Sequence, residues 1–246
     1  MARKKRDSPS KAIYVPFGVL AAVIVAFVVL GSVPHAPLQA VTGQFFKVGK
    51  GHSSKVEVYF VSWIGCPIGA SLSWPLDEAL GGHLFVSLHY SDPSDIQIPG
   101  LIFLSGNNSN VTFYPIYVYN EYLNASPSGQ PVTGNRIDFG LNVLRQQVPP
   151  WVYDLVVKYD VNTTFNLSGK VESLADYGDH LTTVVIITGP NGTWMLLGGL
   201  TSVNAYFPQL SKMTPQELYQ DLQQGELPPV LQQAEQQILQ VIAEAS

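Results

Sequence analysis

The clearest signal along the chain is an apolar, β-branched and aromatic run from Val56 to Val61, broken only by Glu57. Such a run predicts a strand buried on both faces. It leads through Trp63 and Gly65 to Cys66, with Pro67 directly after. An apolar-periodic segment then predicts a helix over Pro67–Leu80. Pro67 falls in its first turn, where a missing N–H costs nothing, and Gly81-Gly82 stops it. Pro75, inside that segment, predicts a kink. Leu84–His89 reads as a second strand. Strand, helix and strand joined by short links predict a right-handed βαβ unit with a parallel strand pair.

The middle of the chain is less regular. Gly100–Leu104 and Val111–Tyr119 are strand-like around the turn residues Gly106–Ser109. Phe139–Gln146 predicts a short helix stopped by Pro149-Pro150, and Val152–Tyr159 fits a helix or a strand. Order returns with Thr182–Thr188 and Thr193–Leu197, which flank Gly189-Pro190-Asn191-Gly192 and predict a β-hairpin. Thr214-Pro215-Gln216-Glu217 carries the signature of a capped helix start, with the helix running to about Gln224. Leu227–Ala245 predicts a last helix with Leu231, Ala234, Ile238, Val241 and Ile242 on one face. That face is expected to pack on the domain's own core, with a partner-binding helix as the rival reading.

Ahead of all this lies an uncharged apolar run, Ile13–Val33, with five basic residues before it. At about 1.5 Å per residue it reaches roughly 31 Å, the thickness of a bilayer core. The positive-inside rule places the N-terminus in the cytoplasm and residues 34–246 outside. The run is longer than the apolar region of a cleaved signal peptide, so an uncleaved anchor is expected. The organisation read from the chain is a basic tail (1–11), a transmembrane signal anchor (12–33), a stalk (34–54) and an extracellular domain (55–246). That domain carries an insertion over about 90–180 and C-terminal helices over about 214–245.

Charge narrows the partners. Residues 1–11 hold five basic residues and one acid, whereas the remainder holds 8 basic and 17 acidic residues. An acidic body does not suit nucleic acid, whose phosphates need Lys and Arg. One cysteine excludes an internal disulfide and multi-cysteine zinc sites, and the five histidines lack ligand spacing. No metal or cofactor is expected. Six N-x-[ST] sequons, at Asn107, Asn110, Asn124, Asn162, Asn166 and Asn191, all fall in the predicted external part and mark candidate glycosylation sites. Loops rich in Asn and Thr also make such triplets by chance. The sparse charge of the surface suits an acidic medium.

Taken in order, the elements are strand, Cys66, helix with Pro75, strand, insertion, hairpin and terminal helix. With Phe60-Val61-Ser62-Trp63 before Cys66, Asp77-Glu78 in the helix, and Thr182–Gly199, this resembles the thioredoxin fold, βαβ followed by ββα. The α/β domain with its Trp-x-x-Cys-Pro element also resembles an uncharacterised family of membrane-anchored, thioredoxin-like proteins from thermoacidophilic archaea. The resemblance covers roughly half of the outer domain and implies location and fold but no reaction. Two features depart from the thioredoxin pattern. Gly69 stands where the second cysteine of a Cys-x-x-Cys motif would be. No proline directly precedes Thr182, where the residue facing the thiol would be; Pro99, before a strand-like run, is the other candidate for that role.

Cys66, flanked by Trp63 and Pro67, is therefore the candidate reactive residue. A helix N-terminus favours a thiolate and predicts a lowered thiol pKa. A lone thiol can form a mixed disulfide or a sulfenic acid, but cannot release a client by internal attack. Two functions from different classes follow: a non-enzymatic module that binds a protein or peptide at the groove above Cys66, and a single-thiol redox or folding factor using Cys66 for thiol–disulfide exchange. An intermolecular disulfide and an accessory-subunit role are further options. The incomplete dithiol favours the binding module.

Overall fold

The computed structural model describes residues 41–246 apart from 83 and 106–110. The basic tail, the apolar run 13–33, His83, Asn107 and Asn110 lie outside the described residues, as does the start of the stalk. No helix among the described residues is long and apolar enough to cross a membrane. The chain begins with β1 (Phe46–Gly49), β2 (Val56–Ser62) and α1 (Pro67–Ala79). A hairpin of β3 (Phe85–Tyr90) and β4 (Pro99–Ser105) follows, then β5 (Val111–Tyr117). Next come α2 (Arg136–Arg145), α3 (Pro150–Val156), a π-helical turn Val157–Val161, the small hairpin β6 (Phe165–Leu167) and β7 (Lys170–Glu172), and α4 (Leu174–Gly178). The chain closes with β8 (Val184–Gly189), β9 (Gly192–Leu197), α5 (Thr201–Asn204), α6 (Phe207–Leu210), α7 (Pro215–Gln224) and α8 (Pro229–Ala245).

Five strands form the central sheet in the order β1-β9-β8-β2-β5. β2 pairs in parallel with β5 and antiparallel with β8, which forms a tight hairpin with β9. Helices cover both faces, which is why β2 and β8 are apolar at nearly every position. Successive side chains of a strand point to opposite faces. On one face Phe60, Val185 and Ile187 pack with Trp74 and Leu76 of α1 and with Leu231 and Ile238 of α8. On the other, Val61, Val184 and Ile186 pack with Leu144 of α2 and with Val152 and Val156 of α3. The predicted inner face of the last helix is seen in α8, where Leu231, Ala234, Ile238 and Val241 are buried.

The parallel partner of β2 is a correction to the reading of the sequence. The short links predict Leu84–His89 in that place; β3 instead pairs antiparallel with β4 in a separate two-stranded sheet. None of its residues is fully buried, and Phe85 is 71% exposed. The partner is β5, whose Val111, Phe113 and Ile116 are buried. This strand falls within the segment read as an insertion, so the crossover from α1 to the sheet is longer than the short links suggested. The β3–β4 hairpin sits on α1: a Cβ at Gly100 would lie 2.5 Å from the Ala70 Cβ, so only glycine permits this approach. Trp74 Nε1 donates to the Pro99 carbonyl (2.8 Å), and the Leu101 N–H donates to Ser73 Oγ (2.7 Å). Pro99 thus opens a strand that grips α1, and every described peptide bond is trans. The region read as helix or strand at Val152–Tyr159 is helical and ends in the π turn.

Candidate functional site

Cys66 is placed by a short bend at the C-terminal end of β2. The Ile64 N–H donates to the Tyr119 carbonyl (3.2 Å), and the Cys66 N–H donates to the Trp63 carbonyl (3.1 Å). Gly65 is required here, because a Cβ would fall 2.1 Å from the Glu121 carbonyl oxygen. Cys66 then takes the cap position of α1 in extended backbone geometry, with Pro67 as the first helical residue.

The thiol is sealed. Cys66 is 4% exposed, and its Sγ lies 3.0 Å from Thr183 Oγ1, just ahead of β8. Thr183 Oγ1 in turn lies 2.8 Å from Ser62 Oγ, so thiol and hydroxyls form a buried chain of three. Burial pushes the Cys66 thiol above its ordinary pKa. The Thr183 hydroxyl, the N–H groups of Gly69 and Ile68 and the Ser62 hydroxyl pull the other way without overcoming it. The thiolate expected from the helix N-terminus is therefore not the resting form: desolvation outweighs the helix end. Gly69 adds a second constraint. A Cβ there would lie 2.3 Å from Ser62 Oγ and 3.3 Å from Thr183 Oγ1. The hydroxyl of Ser62 thus takes the room that a second cysteine would need.

The segment ahead of β8 is held by side chains from other elements. Tyr119 OH accepts from the Leu181 N–H (3.3 Å) and donates to the Arg136 carbonyl (2.8 Å). Asp160, in the π turn and fully buried, accepts from the Thr182 N–H (3.0 Å) and the Thr182 hydroxyl (2.7 Å). Burial pushes its pKa up to about 6, against the two bonds from Thr182.

Beside Cys66 runs a groove of about 460 Å³, walled by Trp63, Ile68, Ile96 and Phe207 with Thr182 and Asn204 at its polar side. Trp63 is 6% exposed and packs edge-on against His180 (5.4 Å between ring centres); its Nε1 has no hydrogen-bond partner. His180 Nδ1 lies 2.5 Å from the Gly178 carbonyl, which fixes the ring proton there. Burial lowers the His180 pKa, so the ring is neutral near pH 7.

Trp63, Cys66 and Pro67 all line the groove. Asp176, Asp179 and His180 do not form a joint centre. Asp176 caps α4 with Ser173, and Asp179 pairs with Arg136 (2.9 Å). Among the described residues no group of three or more His, Cys, Asp or Glu could hold a metal ion. Asn124, Asn162, Asn166 and Asn191 are all exposed. Nothing in the local sequence marks Ser62, Asp160 or Asn204 as site residues. The adjacent hydroxyls Thr182-Thr183 were the one visible signal, since polar residues leading into an apolar strand need partners.

The family model described as a domain of unknown function (DUF929) matches residues 44–244, and the chain belongs to that family. No curated protein and no solved structure matches it.

Proposed function

We propose that this family member is a membrane-anchored, extracellular, glycosylated thioredoxin-like module that binds a protein partner at the groove beside Cys66 and does no redox chemistry. The observation that carries the reading is the Cys66 site itself: a buried, protonated thiol hydrogen-bonded to Thr183, with Ser62 closing the room for a second cysteine. A thiol that is neither ionised nor accessible is a poor nucleophile. The thioredoxin-like reading is supported by the central strands β5-β2-β8-β9, one parallel pair followed by an antiparallel hairpin, with α1 leaving β2 at the cysteine. The anchor rests on the apolar run 13–33, and glycosylation on the exposed sequon asparagines. An origin in thermoacidophilic archaea agrees with Asp160. A carboxyl whose folded pKa is raised to about 6 favours the native state in acid, and that contribution is lost as pH rises through its folded value.

The experiment is the alkylation rate of Cys66 in the folded full-length chain as a function of pH. Reaction only after unfolding is expected. A rate that saturates well below pH 8 would establish the second reading, a single-thiol exchange factor. That reading is favoured by the donors around Sγ, which would stabilise a thiolate once water enters.

A further inference from the structure

We propose that the groove beside Cys66 selects an uncharged, apolar peptide segment in extended form. A main-chain carbonyl of that segment accepts from the Trp63 indole, and a main-chain N–H donates to the side-chain carbonyl of Asn204. This deepens the binding-module reading and rests on it.

Three observations converge. First, the walls are apolar, and Asp95 at the exposed rim is the one carboxylate among the lining residues, with no Lys or Arg. An ion entering this groove would lose its hydration and find no counter-charge inside. Second, two polar atoms of the lining residues are buried without a partner: Trp63 Nε1 and Asn204 Oδ1. The orientation of the Asn204 amide is set by its other end, since Nδ2 donates to the Gly198 carbonyl (2.8 Å) and leaves Oδ1 over. Buried donors and acceptors are nearly always satisfied, so an orphan of each kind at one groove asks for a ligand that brings both. Third, the two orphans are of opposite type. A peptide chain offers acceptor and donor in succession along an apolar strand, whereas an acyl chain offers neither. Both atoms lie out of water's reach, so side chains of the groove part as the segment enters.

The test uses the full-length chain in detergent micelles with ¹⁵N-labelled tryptophan. The chain has four tryptophans, and Trp63→Phe identifies the Trp63 indole resonance by its loss. The probe is the capped peptide acetyl-Ala-Leu-Ala-Val-Ala-amide, compared with the same peptide carrying Lys or Glu at the third position. The neutral peptide is expected to move the Trp63 indole resonance saturably and to bind at least tenfold more tightly than either charged one. Asn204→Ala should weaken it about tenfold. A Trp63 resonance that stays in place, or equal affinity for charged and neutral peptides, overturns the proposal. The two readings fail separately: a still Trp63 resonance beside a Cys66 inert to alkylation overturns this ligand class and leaves the non-redox module standing. Saturable, charge-selective binding beside a fast-reacting Cys66 supports the ligand class and overturns the non-redox reading.

Discussion

Two helices of this protein begin with the same local grammar, a small polar or thiol residue followed by proline, and they solve the same problem differently. At α7, Pro215 is buried, but Thr214 is only half-buried and its cap bonds lie at the surface. The Thr214 hydroxyl accepts from the Glu217 N–H (3.1 Å), and the Glu217 carboxylate accepts from the Thr214 N–H (2.8 Å). The solution is complete within four residues. At α1, Cys66 and Pro67 are buried, the first turn carries no acid, and the cap side chain makes no local cap bond. The thiol's side-chain partner comes from outside the helix: Thr183, 117 residues away, lies 3.0 Å from Sγ and 2.8 Å from Ser62 Oγ on β2. A cap residue at the surface is served by its own helix; a buried one takes its side-chain partner from what the fold brings to it.

That contrast can be broken most strongly at Gly69. Gly69→Cys forces a Cβ to within 2.3 Å of Ser62 Oγ, and overpacking of this kind costs about 3 kcal/mol at its upper end. Adding Ser62→Ala should restore more than half of that loss in denaturant unfolding. A single variant as stable as the parent would mean that Ser62 does not hold the space.

Asp160 is the next lever, because it holds the segment that carries Thr183 to Cys66. Its pKa is pushed up to about 6 from a reference of 3.8. Its contribution is therefore present in full below about pH 4 and lost as pH rises through 6, on the order of 2 kcal/mol. Measured from pH 4 to pH 7, the parent should lose stability relative to Asp160→Asn by about that amount. Parallel stability curves would show that Asp160 titrates normally.

Smaller effects sharpen the comparison. Thr183→Val should cost about 1 to 2 kcal/mol by leaving the Cys66 thiol and the Ser62 hydroxyl short of a partner. It should also raise the Cys66 pKa further, read from the pH dependence of alkylation in mild denaturant. Thr214→Ala, at the locally capped start, should cost about 1 kcal/mol and leave Cys66 unchanged. Glu217 is held below the usual carboxylate range by its bonds from Thr214, so what it adds to stability should fade as pH drops through that lowered value. A Thr214→Ala effect larger than that of Thr183→Val would invert the ranking of the two starts.

The legible parts of this protein are those whose explanation is local. The apolar run into Cys66, the Gly-Pro-Asn-Gly turn between β8 and β9, the Thr-Pro-x-Glu start of α7 and the inner face of α8 each state their geometry within a few residues. The site was half legible: Trp63, Cys66 and Pro67 lie in one stretch, but Ser62 and Thr183 as partners of the thiol do not follow from it. The identity of the parallel strand was misread for the same reason. Leu84–His89 and Val111–Tyr117 are both good strands, and only the burial of Val111, Phe113 and Ile116 against the core decides which one joins β2.

From the sequence alone came an α/β domain, a cysteine at the head of a helix and the absence of a second thiol, because composition and short-range pattern are written in consecutive residues. The state of that thiol came only from the tertiary structure. A helix end by itself favours a thiolate, whereas packing under β8 removes the water that a thiolate needs. Desolvation is a property of what surrounds a group in space, and the chain order does not record it.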